Sequence, residues 1–283
     1  MKVLFATCAT LPSGDGDDDA LVEALADVGV QASWTTWGTP VQADLVVLRS
    51  TWDYTERLPE FLAWCDAEPA LVNPASVVRW NTDKKYLVDL AGAGVPVVPT
   101  TLAEPGFTDW PDGEFVVKPT VGAGSRGALR VAAGDHATAA AHLDALGVTA
   151  LVQPYQSNVD ALGETALVFL GGQYSHAFTK GAMLVPDAEY DESGLYLVER
   201  LSGATPSAAQ RRVAEDVVDA AAELTGLRRD EFLYARVDLV PGPDGTPLLL
   251  ELELVEPSLG FRQTDATAPL RFASAVRAAL SRR

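Results

Sequence analysis

The sequence contains very few cysteines and histidines. Among its 283 residues there are two cysteines, Cys8 and Cys65, and three histidines. Two cysteines are too few for a disulfide framework, and their spacing does not fit a zinc site. A disulfide-stapled secreted domain and a zinc module are therefore not indicated, and we expect both thiols to be buried.

Positively charged residues are also scarce. Lysine and arginine together number 21 against 39 acidic residues, which gives a formal net charge of -18. The field of such a protein repels nucleic acid and anionic membrane surfaces, so we expect neither as a partner. Any anionic ligand must be held by cations placed locally around it.

A long apolar run is absent as well. The apolar start at residues 1–10 is followed by Pro12 and an acidic run at residues 15–19, and it is too short for a signal peptide or a membrane-spanning helix. We therefore expect a cytoplasmic protein. With 48% hydrophobic residues the chain can bury a large core, and its length predicts two or three packed subdomains.

The first part of the chain alternates short apolar runs with amphipathic segments. The runs at residues 3–6, 45–48 and 71–73 are typical of buried strands, and residues 20–27 and 58–67 of helices. This alternation predicts a βαβ unit with a parallel sheet. We therefore predict an α/β protein whose first domain occupies residues 1–80.

The rest of the chain predicts two further units. Thr82 can cap a helix over residues 83–91, and strands then flank a glycine-rich turn, which indicates a second domain at residues 81–155. A strand hairpin followed by a long helix that stops at Gly226 indicates a third domain at residues 156–283.

The third unit contains an acidic hairpin. Strand-like runs at residues 234–240 and 248–254 are separated by PGPDGTP, in which Asp244 and Gly245 are a strong two-residue turn signal. With that turn, the register sets two pairs opposite each other on one face, Asp238 with Glu251 and Arg236 with Glu253. The other face would carry Leu248, Leu250, Leu252 and Leu254.

The pair of Asp238 and Glu251 requires a cation. Like charges directly opposite each other on neighbouring strands lower stability unless something neutralises them. Mg²⁺ takes carboxylate oxygens from one or two such residues and also carries nucleotide phosphates, so it is the natural candidate. Two alternatives stay open. The acids could form a solvated face of an edge strand, or a wider loop could shift the pairing by a residue or two.

A lysine followed by a glycine-rich loop lies in the middle of the chain. A predicted strand delivers Lys118, and Gly122, Gly124, Ser125 and Gly127 follow, which lets backbone N–H groups approach phosphate oxygens. No helix follows the loop, unlike a P-loop, so we expect a flap that covers a nucleotide. On its own, such a loop is also compatible with an ordinary tight turn.

Taken in order, these motifs resemble the ATP-grasp superfamily over essentially the whole chain. The order is Asp83-Lys84, the Lys118 glycine loop, a strand at residues 151–155, Lys180, and the acidic hairpin. The resemblance implies an ATP-grasp fold with α+β lobes, preceded by a pre-ATP-grasp βαβ domain. It also implies that the protein binds ATP and one or two Mg²⁺ ions.

The resemblance further implies roles for individual residues. Arg236 matches the transition-state arginine, and Lys180 matches a basic residue that reaches phosphate. Asp238, Glu251 and Glu253 match the metal ligands. The implied ATP-binding set consists of Lys84, Lys118, Gly122, Gly124, Ser125, Gly127, Gln153, Tyr155 and Glu164.

The implied activity is ATP-dependent ligation, in which an amino-acid carboxylate is activated as an acyl phosphate and attacked by an amine. Glu253 replaces the usual asparagine of relatives, and the segment Gly163-Glu164-Thr165 lacks the arginine of peptide-forming relatives. RSTWDY and LELELVEPS are most similar to amino-acid ligases of secondary metabolism, in particular the antibiotic-forming cyclo-ligase that closes O-ureido-D-serine to D-cycloserine. The alternatives are an intermolecular amino-acid or peptide ligase and a non-catalytic ATP-binding regulatory module. A homodimer is left open.

Substrate groups should come from the first domain and from the end of the chain. Arg49 and Asp53 follow the carboxyl end of the second predicted strand, where α/β sheets place ligands, although a helix-capping turn explains them equally well. Arg126 and Arg262 are candidate carboxylate-binding forks. A solvated loop position explains Arg126 equally well.

Overall fold

The computed structural model describes residues 1–184 and 189–283 and contains three sheets. The first sheet is parallel. Its strand order is β2-β1-β3-β4, with β1 (Lys2–Thr7), β2 (Gln31–Thr36), β3 (Leu45–Leu48) and β4 (Leu71–Val72). The helices of this part are α1 (Leu21–Asp27), α2 (Leu58–Ala67) and α3 (Ala75–Asn81). The parallel pairing of β1 with β3 confirms the predicted βαβ architecture. The edge strand β2 was not predicted, because its sequence QASWTT contains no apolar run.

The second sheet is antiparallel, in the order β5-β8-β6-β7. Its strands are β5 (Thr101–Ala103), β6 (Phe115–Pro119), β7 (Leu129–Val131) and β8 (Ala150–Pro154), and its helices are α4 (Tyr86–Gly92), which precedes it, and α5 (His136–Leu146). The predicted helix start at residue 83 is wrong. Thr82 has helical backbone angles and closes α3 by donating its N–H to Val78, so Lys84 lies in the turn before α4.

The third sheet is also antiparallel, in the order β11-β10-β9-β12-β13. Its strands are β9 (Glu164–Leu170), β10 (Gln173–Lys180), β11 (Leu201–Gly203), β12 (Tyr234–Pro241) and β13 (Pro247–Glu253). The helices are α6 (Val159–Leu162), α7 (Ala208–Thr225) and α8 (Ala268–Ser281). A capping box at Ser207 and Gln210 starts α7, and Gly226 ends it with a left-handed backbone, as predicted.

The three sheets share apolar cores rather than standing apart. Phe5 of β1, Val168 of β9 and Phe272 of α8 belong to one buried cluster, which joins the first sheet to the third. A second cluster joins α4 and α7 to the back of the acidic hairpin. The carboxyl ends of β1 and β3 are thereby held against the third sheet. The predicted boundaries near residues 80 and 155 stay predictions.

Within the described ranges, no helix is long and apolar enough to cross a membrane.

Candidate active site

A cavity of about 460 Å³ is lined by strands of the second and third sheets, and the segments that follow β1 and β3 of the first sheet complete its wall. Its wall is formed by the acidic hairpin, the glycine loop and the end of β8. The part of the chain before residue 81, here called the first unit, contributes Asp15, Asp17, Trp52 and Tyr54. A space of this size and mixed polarity can hold a small ligand such as a nucleotide with a second small molecule.

The acidic hairpin pairs Arg236 with Glu253 and Asp238 with Glu251, as the register arithmetic predicts. The predicted turn is wrong, however, because the N–H of Gly242 donates to the carbonyl oxygen of Thr246 (2.8 Å) and leaves a three-residue loop. A bulge after Asp238 takes up the difference and restores the predicted pairs.

The same bulge corrects the prediction for the apolar face of the hairpin. Leu249 is fully buried in the core together with Leu252 and Leu254, in place of Leu248 and Leu250. Leu250 lines the cavity instead. One extra residue reverses the side to which the neighbouring side chains point, because strand alternation has a period of two.

Three carboxylates cluster beside the cavity, where Glu251 and Glu253 line its wall and Asp238 is buried behind them. Asp238, Glu251 and Glu253 each present an oxygen, and these oxygens all lie within 4.8 Å of one another. Hard carboxylate oxygens at this spacing are the ligands that Mg²⁺ uses, so the residues present fit a divalent cation.

Basic side chains of the chain itself contact all three acids. Lys180 Nζ lies 2.7 Å from Asp238 Oδ2 and 2.9 Å from Glu164 Oε2. Arg236 pairs with Asp238 at 2.9 Å and also contacts Glu253. The acidic cluster is thus already partly neutralised, which explains how the fold tolerates it.

The burial and the charges of this site shift the pKa values of its acids in different directions. Burial opposes ionisation of Asp238, but Arg236 and Lys180 outweigh it and lower the pKa of this group to about 2. For Glu251, the attraction of Lys84 and Lys118 outweighs burial and lowers the pKa. Burial outweighs the attraction of Arg236 at Glu253 and raises its pKa to about 7. Two of the three acids are therefore held ionised near neutral pH.

The lysines expected to contact a nucleotide lie on either side of this cluster. Lys84 Nζ donates to the carbonyl oxygen of Gly122 (2.6 Å) and lies 3.0 Å from Glu251 Oε1. Lys118, near the end of β6, also lines the cavity. Burial lowers the pKa of Lys118, against the attraction of Glu251. A bound phosphate would be a favourable partner for such a desolvated ammonium group.

The glycine loop connects β6 to β7 and lines the cavity with Gly122, Gly124 and Ser125. Gly124 has a φ of +60°, and a Cβ atom there would lie 2.4 Å from the carbonyl oxygen of Leu195. Leu197 donates its N–H to the carbonyl oxygen of Gly124 (3.3 Å). Gly127 also has a left-handed backbone but does not line the cavity. The loop therefore lies directly against residues 195–197.

The end of β8, where the resemblance implies that Gln153 and Tyr155 bind ATP, also lines the cavity. Gln153 is buried and donates from Nε2 to Thr100 Oγ1 (2.9 Å), while the Tyr155 hydroxyl donates to Asp160 (2.5 Å). The backbone N–H of Tyr155 is already bonded to the carbonyl oxygen of Glu114 (2.8 Å). An adenine edge bound here could therefore not use that N–H group.

The sequence and the fold of this chain resemble those of known proteins. Residues 3–75 match the family described as "D-cycloserine synthetase DcsG, N-terminal domain". The chain is 39% identical to the cycloserine biosynthesis protein DcsG of Streptomyces lavendulae over 294 aligned residues, which cover 96% of each protein. The chain belongs to the DcsG family of ATP-grasp ligases.

Solved structures agree with this assignment. The crystal structure of D-cycloserine synthetase DcsG superposes with a TM-score of 0.86 at 37% identity, covering 99% of this chain and 100% of that one. The ATP-grasp ligase PsnB, solved with its minimal precursor, Mg and ADP, shares the fold at a TM-score of 0.61 and 18% identity, covering 99% of this chain and 97% of that one. The D-alanine–D-alanine ligase of Bacillus anthracis, solved with ATP, also shares the fold, at a TM-score of 0.63 and 13% identity. The match covers 100% of this chain and 98% of that one.

The predicted ATP-grasp fold is therefore confirmed, and the chain is an ATP-grasp ligase rather than a non-catalytic binding module. Proteins of this fold have been solved with ATP, or with ADP and Mg, as the two neighbours above illustrate.

The structure does not bring two of the four predicted substrate residues, Arg49 and Asp53, to the cavity. The Arg49 side chain is 1% exposed, and it donates twice to Asp18 (3.0 and 2.7 Å). Asp53 accepts from Trp37 Nε1 (2.6 Å). Neither residue lines the cavity. The reason is that the shared core encloses the carboxyl end of β3, and Arg49 compensates the buried charge of Asp18 there.

The other two predicted substrate arginines do line the cavity of the ligase, and each contacts the first unit. Arg126 donates to the carbonyl oxygen of Trp52 (2.9 Å) and to Thr55 Oγ1 (2.6 Å). Arg262 lies 2.7 Å from Asp19. Both stay candidates for a substrate carboxylate.

Two asparagines that sequence reasoning missed hold the ligase's acidic strand in place. Asn81 donates to the carbonyl oxygen of Leu252 (2.9 Å) and accepts from the N–H of Leu254 (2.7 Å). Asn73 donates to the carbonyl oxygens of Tyr234 and Leu254 (3.0 and 2.8 Å). Because both side chains are buried, they position β13 and its carboxylates against the first unit. The available signal in the sequence was Asn73, a polar residue that directly follows the apolar run of β4.

Proposed function

We propose that this ligase binds Mg-ATP in the cavity and uses it to close O-ureido-D-serine to D-cycloserine. The observation that carries the nucleotide part is the cluster of three carboxylates beside a cavity that Lys84 and Lys118 also line. The substrate part is supported by the 39% identity to DcsG along almost the entire chain. Because the reaction consumes ATP, we place the enzyme in the cytoplasm.

Each part of the cavity has a defined task in this proposal. Asp238, Glu251 and Glu253 would hold one or two Mg²⁺ ions, which supply neutralising charge beside the phosphates when bound. Lys84, Lys118 and the backbone N–H groups of the glycine loop bind the phosphates. Gln153, Tyr155 and Glu164 line the remaining nucleotide space, with Glu164 held by Lys180.

The reaction then requires two displacements. A carboxylate oxygen of the substrate attacks the γ-phosphorus, the bond to the bridging β–γ oxygen breaks, and ADP leaves with that electron pair. The substrate nitrogen next attacks the acyl carbon and displaces phosphate, which closes the ring. Lys180 and Arg236, which both contact Asp238, would favour the first step by neutralising the charge that builds up on the transferred group.

The atom balance gives the proposal a second readout. O-ureido-D-serine carries a carbamoyl group that D-cycloserine lacks, so hydrolysis must release it as carbamic acid, which decomposes to carbon dioxide and ammonia. Ring closure thus predicts one ADP, one phosphate and one ammonia for each D-cycloserine formed.

The test is to incubate the protein with Mg-ATP and a panel of D- and L-amino acids that includes O-ureido-D-serine. We expect ADP, ammonia and D-cycloserine in equal amounts with O-ureido-D-serine alone. ADP release that requires two different amino acids, or an amino acid and an added amine, would instead establish an intermolecular ligase. The absence of ADP release with every member of the panel would contradict the proposed substrate class.

A further inference from the structure

Glu256 is a buried acid in this cavity that has no ion-pair partner within the described ranges. Among the described residues four carboxylates are buried, those of Asp18, Glu164, Asp238 and Glu256. Asp18 pairs with Arg49, and Lys180 holds both Glu164 and Asp238. Glu256 is 8% exposed, lines the cavity, and forms no such pair.

The surroundings of Glu256 place it on the side of the cavity that the first unit forms. It follows the metal-site residue Glu253 by three positions. Trp52 Nε1 donates to the backbone oxygen of Glu256 (2.9 Å), which fixes the main chain against the first unit. The side chain of Tyr54 interacts with the Glu256 carboxyl group. The acid therefore lies between the acidic cluster and the wall that carries Trp52 and Tyr54.

The electrostatics of this position favour a cationic ligand. Burial raises the pKa of Glu256 to about 8, and the neighbouring Glu253 adds to that effect. Lys84 opposes the shift from a distance, but its ammonium group is engaged with Glu251 at 3.0 Å. A buried carboxylate without a counter-charge is unstable, and a bound cation would remove that cost.

We propose that Glu256 binds the α-ammonium group of the amino-acid substrate and so selects for amino acids over other carboxylic acids. The inference rests on the proposed function, because it needs an amino-acid substrate whose carboxylate lies near the acidic cluster. It also assigns a task to the first unit. Trp52 fixes the backbone of Glu256, and Tyr54 interacts with its carboxyl group.

The experiment compares two variants and two substrates. The substrates are O-ureido-D-serine and the analogue in which hydrogen replaces the α-ammonium group, and the proteins are the wild type and Glu256→Gln. We expect the wild type to prefer the amino acid by a factor of about 100 or more in kcat/KM, because a site built for a polar group rejects an analogue that lacks it. In Glu256→Gln this preference should fall at least tenfold, through a higher KM for the amino acid, while the KM for ATP changes less than twofold.

Three results would overturn the inference. Glu256→Gln could lower kcat/KM equally for both substrates, it could lower kcat with an unchanged KM for the amino acid, or it could raise the KM for ATP as much as that for the amino acid. Glu256→Asp, which keeps the charge, should retain part of the preference and serves if Glu256→Gln does not fold. The exposed variant Glu223→Gln is the matched control.

Failure of the proposed function gives a different pattern. In that case the wild type itself would release no ADP with either compound. Calorimetric binding of the two compounds to the wild type, in the presence of Mg and a non-hydrolysable ATP analogue, then tests Glu256 directly. Weaker binding of the analogue by the wild type but not by Glu256→Gln would support the inference, and equal binding of the two compounds by the wild type would overturn it.

Discussion

Lys84 Nζ lies 3.0 Å from Glu251 Oε1, so the turn before α4 is joined to the acidic strand β13. The same ammonium group donates to the carbonyl oxygen of Gly122 (2.6 Å). A metal ion bound at Glu251 would therefore compete with Lys84 for the same carboxylate. When Mg-ATP binds, we expect Lys84 to leave Glu251 for a phosphate oxygen. The position of Lys84 would then change when Mg²⁺ and ATP bind.

Glu251→Gln tests the role of this acid. The variant keeps the shape of the side chain but removes the charge that would hold a cation, so we expect ADP release to fall at least about a hundredfold. Because the pair with Lys84 is largely buried, the melting temperature of the variant is measured as well, which separates a loss of stability from a loss of cation binding. Steady-state ADP release at several Mg²⁺ concentrations measures the effect, with Glu223→Gln as control. Unchanged turnover would remove Glu251 from the metal site.

Gly124→Ala and Gly122→Ala form a matched pair for the glycine loop. A Cβ atom at Gly124 would lie 2.4 Å from the backbone oxygen of Leu195 in a left-handed conformation, whereas at Gly122 its nearest neighbour is 3.4 Å away. Strain of about 1 to 3 kcal/mol is therefore expected at the first position only. The KM for ATP should rise roughly tenfold in Gly124→Ala. If Gly122→Ala raises it as much, the contact with Leu195 is not the cause.

Asn81→Ala should destabilise the whole fold. The substitution leaves the backbone oxygen of Leu252 and the N–H of Leu254 buried without partners, at a cost of about 2 to 4 kcal/mol in the free energy of unfolding. Asn158→Ala is the control, because the Asn158 amide makes one bond, to Gly242, at a half-buried position. Urea denaturation measures both. Equal losses would show that Asn81 does not secure the acidic strand.

His176 predicts a pH dependence of stability. Its Nε2 donates to the carbonyl oxygen of Leu259 (2.7 Å), and its Nδ1 lies 2.8 Å from Ser175 Oγ. Burial lowers the pKa of His176 below its unfolded value near 6.5, so the unfolded state binds the proton more tightly. Stability from this group is therefore present above pH 6.5 and lost as the pH falls below it, by at most about 1.4 kcal/mol per pH unit.

The measurement for His176 compares the wild type with His176→Gln, whose amide can still donate to Leu259. The free energy of unfolding of both proteins is measured at pH 7.5 and at pH 5.5. Taking the difference between the two proteins at each pH cancels the contributions of the other titratable groups. We expect the advantage of the wild type to shrink at pH 5.5. A difference that is the same at both values contradicts the assignment.

The two cysteines should be unreactive in the native protein. Both are buried, and burial raises the pKa of Cys65 to about 12 and also raises that of Cys8. Because only the thiolate reacts quickly, a thiol reagent at pH 8 should label neither residue until denaturant is added, when both should react. Fast labelling of either thiol without denaturant would show that its surroundings open in the native state.

Much of the fold was predictable because its signals are local. Short buried strands, helix stops such as Gly226 and the period of two along a hairpin depend only on nearby residues. The pairing of Asp238 with Glu251 was predictable from such local signals. The turn was not, because PGPDGTP is compatible with more than one turn. A bulge after Asp238 then restored the predicted pairs.

The sequence by itself determined the kind of protein, namely an α/β chain with an acidic hairpin, two lysines and a glycine loop in ATP-grasp order. Only the tertiary structure decided which charges face the cavity. Arg49 turned into the core to pair with Asp18, while Glu256 remained buried in the cavity without such a pair. The reason is physical, because desolvation and ion pairing depend on groups that are far apart along the chain and close only after folding.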